Sequence, residues 1–99
     1  MIGERRIVTV AERLWPGTVT DLAAGQVRVI ADCGSHRWYP TAEVWPFALV
    51  QASLVASIAA DDAVIVTLKA AGDRPGARAS EQRALRSTFE LITLRRAFR

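Results

Sequence analysis

The chain reads as an α+β fold: a small antiparallel β-barrel over residues 1–46, with a helical extension over residues 47–99 packed on it as one compact unit. Three observations lead there. Short runs rich in β-branched residues, punctuated by Gly and Pro, fill the first 46 positions. From Phe47 onward, apolar residues recur at three- and four-residue spacings. At 99 residues there is material for one core and not two.

The strands follow in order. Residues 6–11 are Arg-Ile-Val-Thr-Val-Ala, good strand material. Trp15-Pro16-Gly17 reads as a turn, and Thr18 to Leu22 as the second strand. Ala24-Gly25 marks a tight turn, because glycine reaches the positive φ such turns need. Gln26 to Asp32 alternates, placing Val27, Val29 and Ala31 on one face against Arg28, Ile30 and Asp32 on the other. Cys33 to His36 form the next turn. Arg37-Trp38-Tyr39 is a short strand stopped by Pro40, which has no N–H to donate. Thr41 to Glu43 suit one helical turn, and Val44-Trp45 a fifth strand. Five short strands joined by tight turns describe a small barrel, with Val27 and Val29 on its inner side.

The order Trp15-Pro16-Gly17-Thr18-Val19, then Val27-x-Val29-x-x-Asp32-x-Gly34, then Trp38-Tyr39-Pro40-x-x-Glu43-Val44-x-Pro46 resembles the SH3-like barrel of the Tudor and agenet families. The resemblance covers the first half of the chain. It implies peptide binding, often to methylated side chains held in an aromatic cage. Trp15 matches the aromatic near the start of the second strand. Ile30 and Cys33 stand where two further aromatics would lie.

In the second half, Phe47, Val50, Leu54 and Ile58 share one helical face. Asp61 or Asp62 can cap a following segment, Ala63 to Ala71, whose Val64-Ile65-Val66-Thr67 suits helix or strand equally. Gly72 to Gly76 form a loop. Ser80 then caps a final helix to about Ala97, with Glu81 at the positive end of its dipole. On that helix Leu85, Phe89 and Ile92 make one apolar stripe and Leu91, Leu94 and Phe98 a second. With the first stripe turned inward on the helix that starts at Phe47, the second becomes a ridge for a partner, most simply a second copy.

Charge is distributed unevenly. Residues 1–46 are neutral, residues 47–72 carry −1, and residues 73–99 carry +4. Arg74, Arg78, Arg83, Arg86, Arg95, Arg96 and Arg99 supply that basicity and are the candidate nucleic-acid contacts. Twelve of the thirteen bases are arginine, a bias that a GC-rich bacterial genome also produces.

The candidate partner-binding residues are Trp15, Trp38, Tyr39, Leu91, Leu94 and Phe98, with Trp45 completing the aromatic set. Each aromatic serves either the core or a shallow groove. Trp38 and Tyr39, adjacent on a strand, must point to opposite faces. Chemistry is not expected. His36 is the sole histidine, and Cys33-x-x-His36 is half of a zinc site without a second half. One cysteine excludes an internal disulfide. No cofactor, metal or small-molecule substrate is expected. The N-terminus opens on Glu4, Arg5 and Arg6 without a following apolar run, so no signal peptide is read there. Val44 to Ala60 is uncharged, but it is short for a membrane span and contains Pro46, Gln51, Ser53 and Ser57. A cytoplasmic, non-catalytic module is expected. It binds nucleic acid through its basic helix, or alternatively acts as a protein-interaction adaptor within a larger complex.

Overall fold

The computed structural model describes all 99 residues. Strands β1 (Arg5–Val10), β2 (Arg13–Ala23), β3 (Gln26–Ala31) and β4 (His36–Pro40) form one antiparallel sheet in sequential order. A 3₁₀ turn (Thr41–Glu43) leads to two helices, α1 (Phe47–Ala70) and α2 (Arg74–Ala97). The fold is therefore α+β. β1 does not pair with β4. The chain returns to the outer edge of β1 only at Trp45, which exchanges two backbone hydrogen bonds with Ile7, at 2.8 and 2.9 Å.

Trp15-Pro16-Gly17 is not a turn but the middle of β2. The β1–β2 turn lies earlier, at Ala11-Glu12, both at positive φ (49° and 65°), the backbone twist that two-residue hairpins favour. Pro16 is tolerated inside a strand because its nitrogen lies on the side away from β1. Its carbonyl, on that same side, accepts from the Asp32 N–H at 2.8 Å, just past the end of β3. Gly17 answers a separate need. A Cβ there would sit 2.6 Å from Val29 Cγ1 and 2.9 Å from the Ile30 carbonyl oxygen. A bulge between Val19 and Asp21 then shifts the register.

Val27, Val29 and Ala31 are buried while Arg28 and Ile30 are partly exposed, as the alternation predicts. They join Val8, Val19, Tyr39 and Val44 in one cluster, with Val10 and Trp15 packed against it. A second cluster forms the junction with the helices: Ile7, Val50, Leu54, Leu91 and Leu94.

The helices differ from expectation in extent. α1 runs unbroken through Asp61-Asp62, so 63–70 is helix. Its β-branched run is a weak helix former, and packing against α2 decides the matter. Asp61 caps nothing; it turns toward α2 and pairs with Arg83 at 3.6 Å. α2 begins at Arg74, ahead of Ser80. Asp73 is its N-cap, accepting from the Gly76 N–H at 3.0 Å, and Pro75 occupies the first turn. Ser80 is wholly buried mid-seam, its Oγ accepting from Arg83 at 2.8 Å.

The seam explains both shifts. On α2 it consists of Ala77, Ser80, Ala84, Ser87, Leu91, Leu94 and Phe98, alternating three and four residues, and every one is buried or half-buried. On α1 it runs from Phe47 through Leu54, Ile58, Asp61 and Ile65 to Leu68. Phe47 stacks on Phe98 at 4.9 Å, Gln51 accepts from Arg95 at 3.1 Å, and Lys69 pairs with Glu81 at 2.9 Å. These contacts set an antiparallel hairpin. Each helix is about 36 Å long, and the molecule extends 52 × 25 × 21 Å.

The two apolar stripes of α2 are thus exchanged. Leu91 and Leu94 are buried at the junction and Phe98 is half-buried against Phe47, so these three are not a free ridge. Leu85, Phe89 and Ile92 face outward instead. The hairpin meets the sheet through Ile7 and Leu94, which places Leu91, Leu94 and Phe98 inward.

Candidate functional site

The sheet and the outer face of α2 enclose an open groove. One wall is the β1–β2 turn and the start of β2: Glu12, Arg13, Leu14, Trp15 and Pro16. The other is α2, with Leu85, Arg86, Phe89, Thr93 and Arg96. Trp15 is half-buried because its inner part packs on the sheet core. Leu85 and Phe89 are 57% and 61% exposed. Apolar Leu14, Trp15, Leu85 and Phe89 share this lining with Arg13, Arg86 and Arg96 and with the acids Glu12, Asp32 and Glu90, and aromatic and arginine side chains are the types enriched where proteins bind one another.

The aromatic residues of the sheet do not converge. Tyr39 is buried in the sheet core and presents no surface to a partner. Its hydroxyl has no hydrogen-bond partner in the protein, and burial holds its pKa above the ordinary phenol value. Trp38 is exposed on β4 and lies level with Arg28, which pairs with Asp21 across the sheet. Trp15 stands six positions from Asp21 along β2, roughly 20 Å at the strand rise. Trp15 and Trp38 therefore occupy opposite ends of the sheet. Trp45 joins the junction cluster.

The seven C-terminal arginines are spread along α2. Arg83 is held by Asp61 and Ser80, and Arg95 by Gln51. Arg74, Arg78, Arg86, Arg96 and Arg99 form no ion pair within the chain. Arg74 and Arg78 share a small cleft at the hairpin tip with Lys69 and Glu81, at the far end of α2 from Arg96 and Arg99.

Cys33 is exposed in the β3–β4 turn; His36, also exposed, is not in that turn but is the first residue of β4, paired with Ile30. No three His, Cys, Asp or Glu side chains converge as a metal site would require. Near that turn, Asp32 accepts two hydrogen bonds from Arg5, at 2.6 and 2.7 Å. This pairing lowers the Asp32 pKa and raises that of Arg5. Arg5 also lies over the Phe98 ring, 5.8 Å from its centroid, tying the sheet to the end of α2.

α1 is long and apolar enough, by length and composition, to cross a membrane. Comparison with family models, curated proteins and solved structures finds no match.

Leu85 and Phe89 as groove residues were missed from sequence. Their signal lay in the small residues: Ala77, Ser80, Ala84 and Ser87 keep strict three–four spacing with Leu91 and Leu94, a seam pattern that places Leu85 and Phe89 outside it.

Proposed function

We propose that this protein is a non-catalytic, cytoplasmic protein-interaction module, a subunit of a larger assembly. It grips a partner in the groove between Trp15 and Phe89. The observation that carries this reading is the exposure of Leu85 and Phe89 opposite Trp15. A folded domain rarely leaves a large aromatic and a leucine together in water without a partner surface. The strand order and the return of the chain to β1 at Trp45 support reading the sheet as an SH3-like barrel whose fifth strand is reduced to one bridge. A Tudor-like aromatic cage gains no support, since Ile30 and Cys33 supply no π face; the groove draws its second aromatic from α2. A photo-reactive benzoylphenylalanine at position 89, in cells, gives discrete protein adducts that a Trp15→Ala background depletes at least fivefold. The same group at Trp38 does not. No adduct at 89, or equal adducts at both positions, overturns the reading.

A second reading, nucleic-acid binding, is favoured by the five arginines of α2 that lack an internal acidic partner. Five phosphate contacts give a log–log salt dependence of slope about −4.5 for duplex DNA. A titration at several salt concentrations measures it, and a flat response removes this reading.

A further inference from the structure

The two helices of the hairpin differ in what they show to solvent. Seven of the fourteen exposed positions on α2 are charged, whereas on α1 only Asp62 and Lys69 of sixteen are. At about 100° per residue, Asp61, Asp62 and Lys69 all lie within about 60° of the seam with α2. The remaining arc, more than half of the α1 circumference, carries no charge from end to end. Leu49, Val55, Val64 and Val66 stand on it, 56%, 46%, 43% and 69% exposed, among alanine, serine and threonine. A core helix of such composition is mostly buried, yet only 11% of the most apolar stretch of α1 is.

The rest of the fold leaves this back of α1 open. The sheet meets α1 through Val50 and Leu54, both on the side toward α2, and the groove lies beyond α2. Beside the seam, one flank of the hairpin carries Lys69–Glu81 and Gln51–Arg95. Arg74 and Arg78 share a cleft with Lys69 and Glu81 at its tip. With Asp62 and Glu81 as its only acids against Lys69, Arg74, Arg78 and Arg95, this border is net positive. A protein partner calls for a polar rim around a compact apolar centre. An uncharged strip about 36 Å long, with cations only above it, matches lipid instead: hydrocarbon below, phosphate above.

We propose that the back of α1 docks on an anionic membrane surface, with the hairpin lying flat in the interface. The inference goes beyond the groove reading and uses a different face. With the axis of α1 at the edge of the hydrocarbon, Leu49, Val55, Val64 and Val66 dip into the acyl boundary. α2 rides about 9 Å higher, which sets Arg74 and Arg95 at the depth of the lipid phosphates. The groove then faces away from the bilayer, open to a partner. α1 does not cross the membrane, because α2 lies along its whole length and would carry Arg78, Arg83 and Arg86 into the hydrocarbon with it.

Co-sedimentation of the full chain with phosphatidylcholine vesicles containing about a third phosphatidylglycerol tests the proposal. Wild type partitions onto them. L49E/V64E loses about tenfold or more of that binding, and F89E, in the groove, loses none. Pure phosphatidylcholine lowers wild-type binding by about fivefold or more, since one arginine near an anionic surface contributes roughly that factor. Should L49E/V64E lose its helicity, an environment-sensitive dye on Ala56→Cys in a Cys33→Ser background decides instead. Its emission shifts to the blue on anionic vesicles, while the same dye on Gln82→Cys, across α2, does not move. Wild type left in the supernatant, a folded L49E/V64E that binds as wild type, or a dye at 82 that responds like the dye at 56 overturns the proposal. So does a dye at 56 already blue-shifted without vesicles, which means that a second copy covers the face. Vesicle-bound protein that resists alkaline extraction overturns it as well, because α1 then crosses the bilayer. The groove reading survives each of these failures, since crosslinking at position 89 tests it separately.

Discussion

The sheet and the helical hairpin solve burial in opposite ways. The sheet encloses its own core, with Val8, Val19, Val27, Val29, Ala31, Tyr39 and Val44 in one cluster built from strands close in sequence. α1, 24 residues long, buries only Val50 and Leu54. A twisted sheet can fold its inner face against itself, whereas two helices share one seam and leave the rest of each cylinder open. Where a chain invests in helices it cannot cover, its free surface is the place to look for partners.

Four substitutions probe that contrast. The largest effect is expected at the junction. Leu94→Ala removes a fully buried side chain between Ile7 and α1 and costs about 3 kcal/mol in chemical denaturation. Leu85→Ala on the same helix, facing outward, changes stability by no more than about 0.5 kcal/mol. Equal losses at the two positions would mean that α2 is covered on both faces.

The sheet core has one flaw, the Tyr39 hydroxyl, buried without a partner. Tyr39→Phe relieves that desolvation and raises stability by about 1 kcal/mol. A destabilised variant, measured by the same denaturation, would show that the hydroxyl is satisfied in solution and the core wetter than its packing indicates.

The smallest effect belongs to the rim. Arg5 holds the folded-state pKa of Asp32 below its unfolded value. The pair therefore contributes stability above the ordinary carboxylate range and loses it as pH falls through the lowered pKa. Both side chains are over a third exposed, so the contribution stays under about 1 kcal/mol. Asp32→Asn flattens the acid side of the denaturation midpoint by that amount; an unchanged acid limb would show that the pair is not maintained in solution.

Much of the sheet was legible because a strand's signal is local. Alternation from Gln26 to Ala31 names the inner face without knowledge of any neighbour. Trp15-Pro16-Gly17 was misread because each residue alone signals a turn. Its place in β2 depends on Asp32 bonding to Pro16 and on Val29 closing over Gly17, both reached only across the fold. Tyr39 and Trp38 were separable as opposite faces from sequence; which face was inward was not.

The helical half divides similarly. Apolar period, the stop at Gly72 and the basic C-terminal segment belong to the sequence, since each depends on residues within a turn or two. Which stripe of α2 turns inward belongs to the tertiary structure. Two stripes of similar hydrophobicity cannot be ranked by composition, and the choice fell to shape. Ala77, Ser80, Ala84 and Ser87 let α2 approach α1 closely near the tip, and continuing that seam drives Leu91, Leu94 and Phe98 inward. Leu85 and Phe89 are then left beside Trp15, a pairing of residues seventy positions apart that no local pattern encodes.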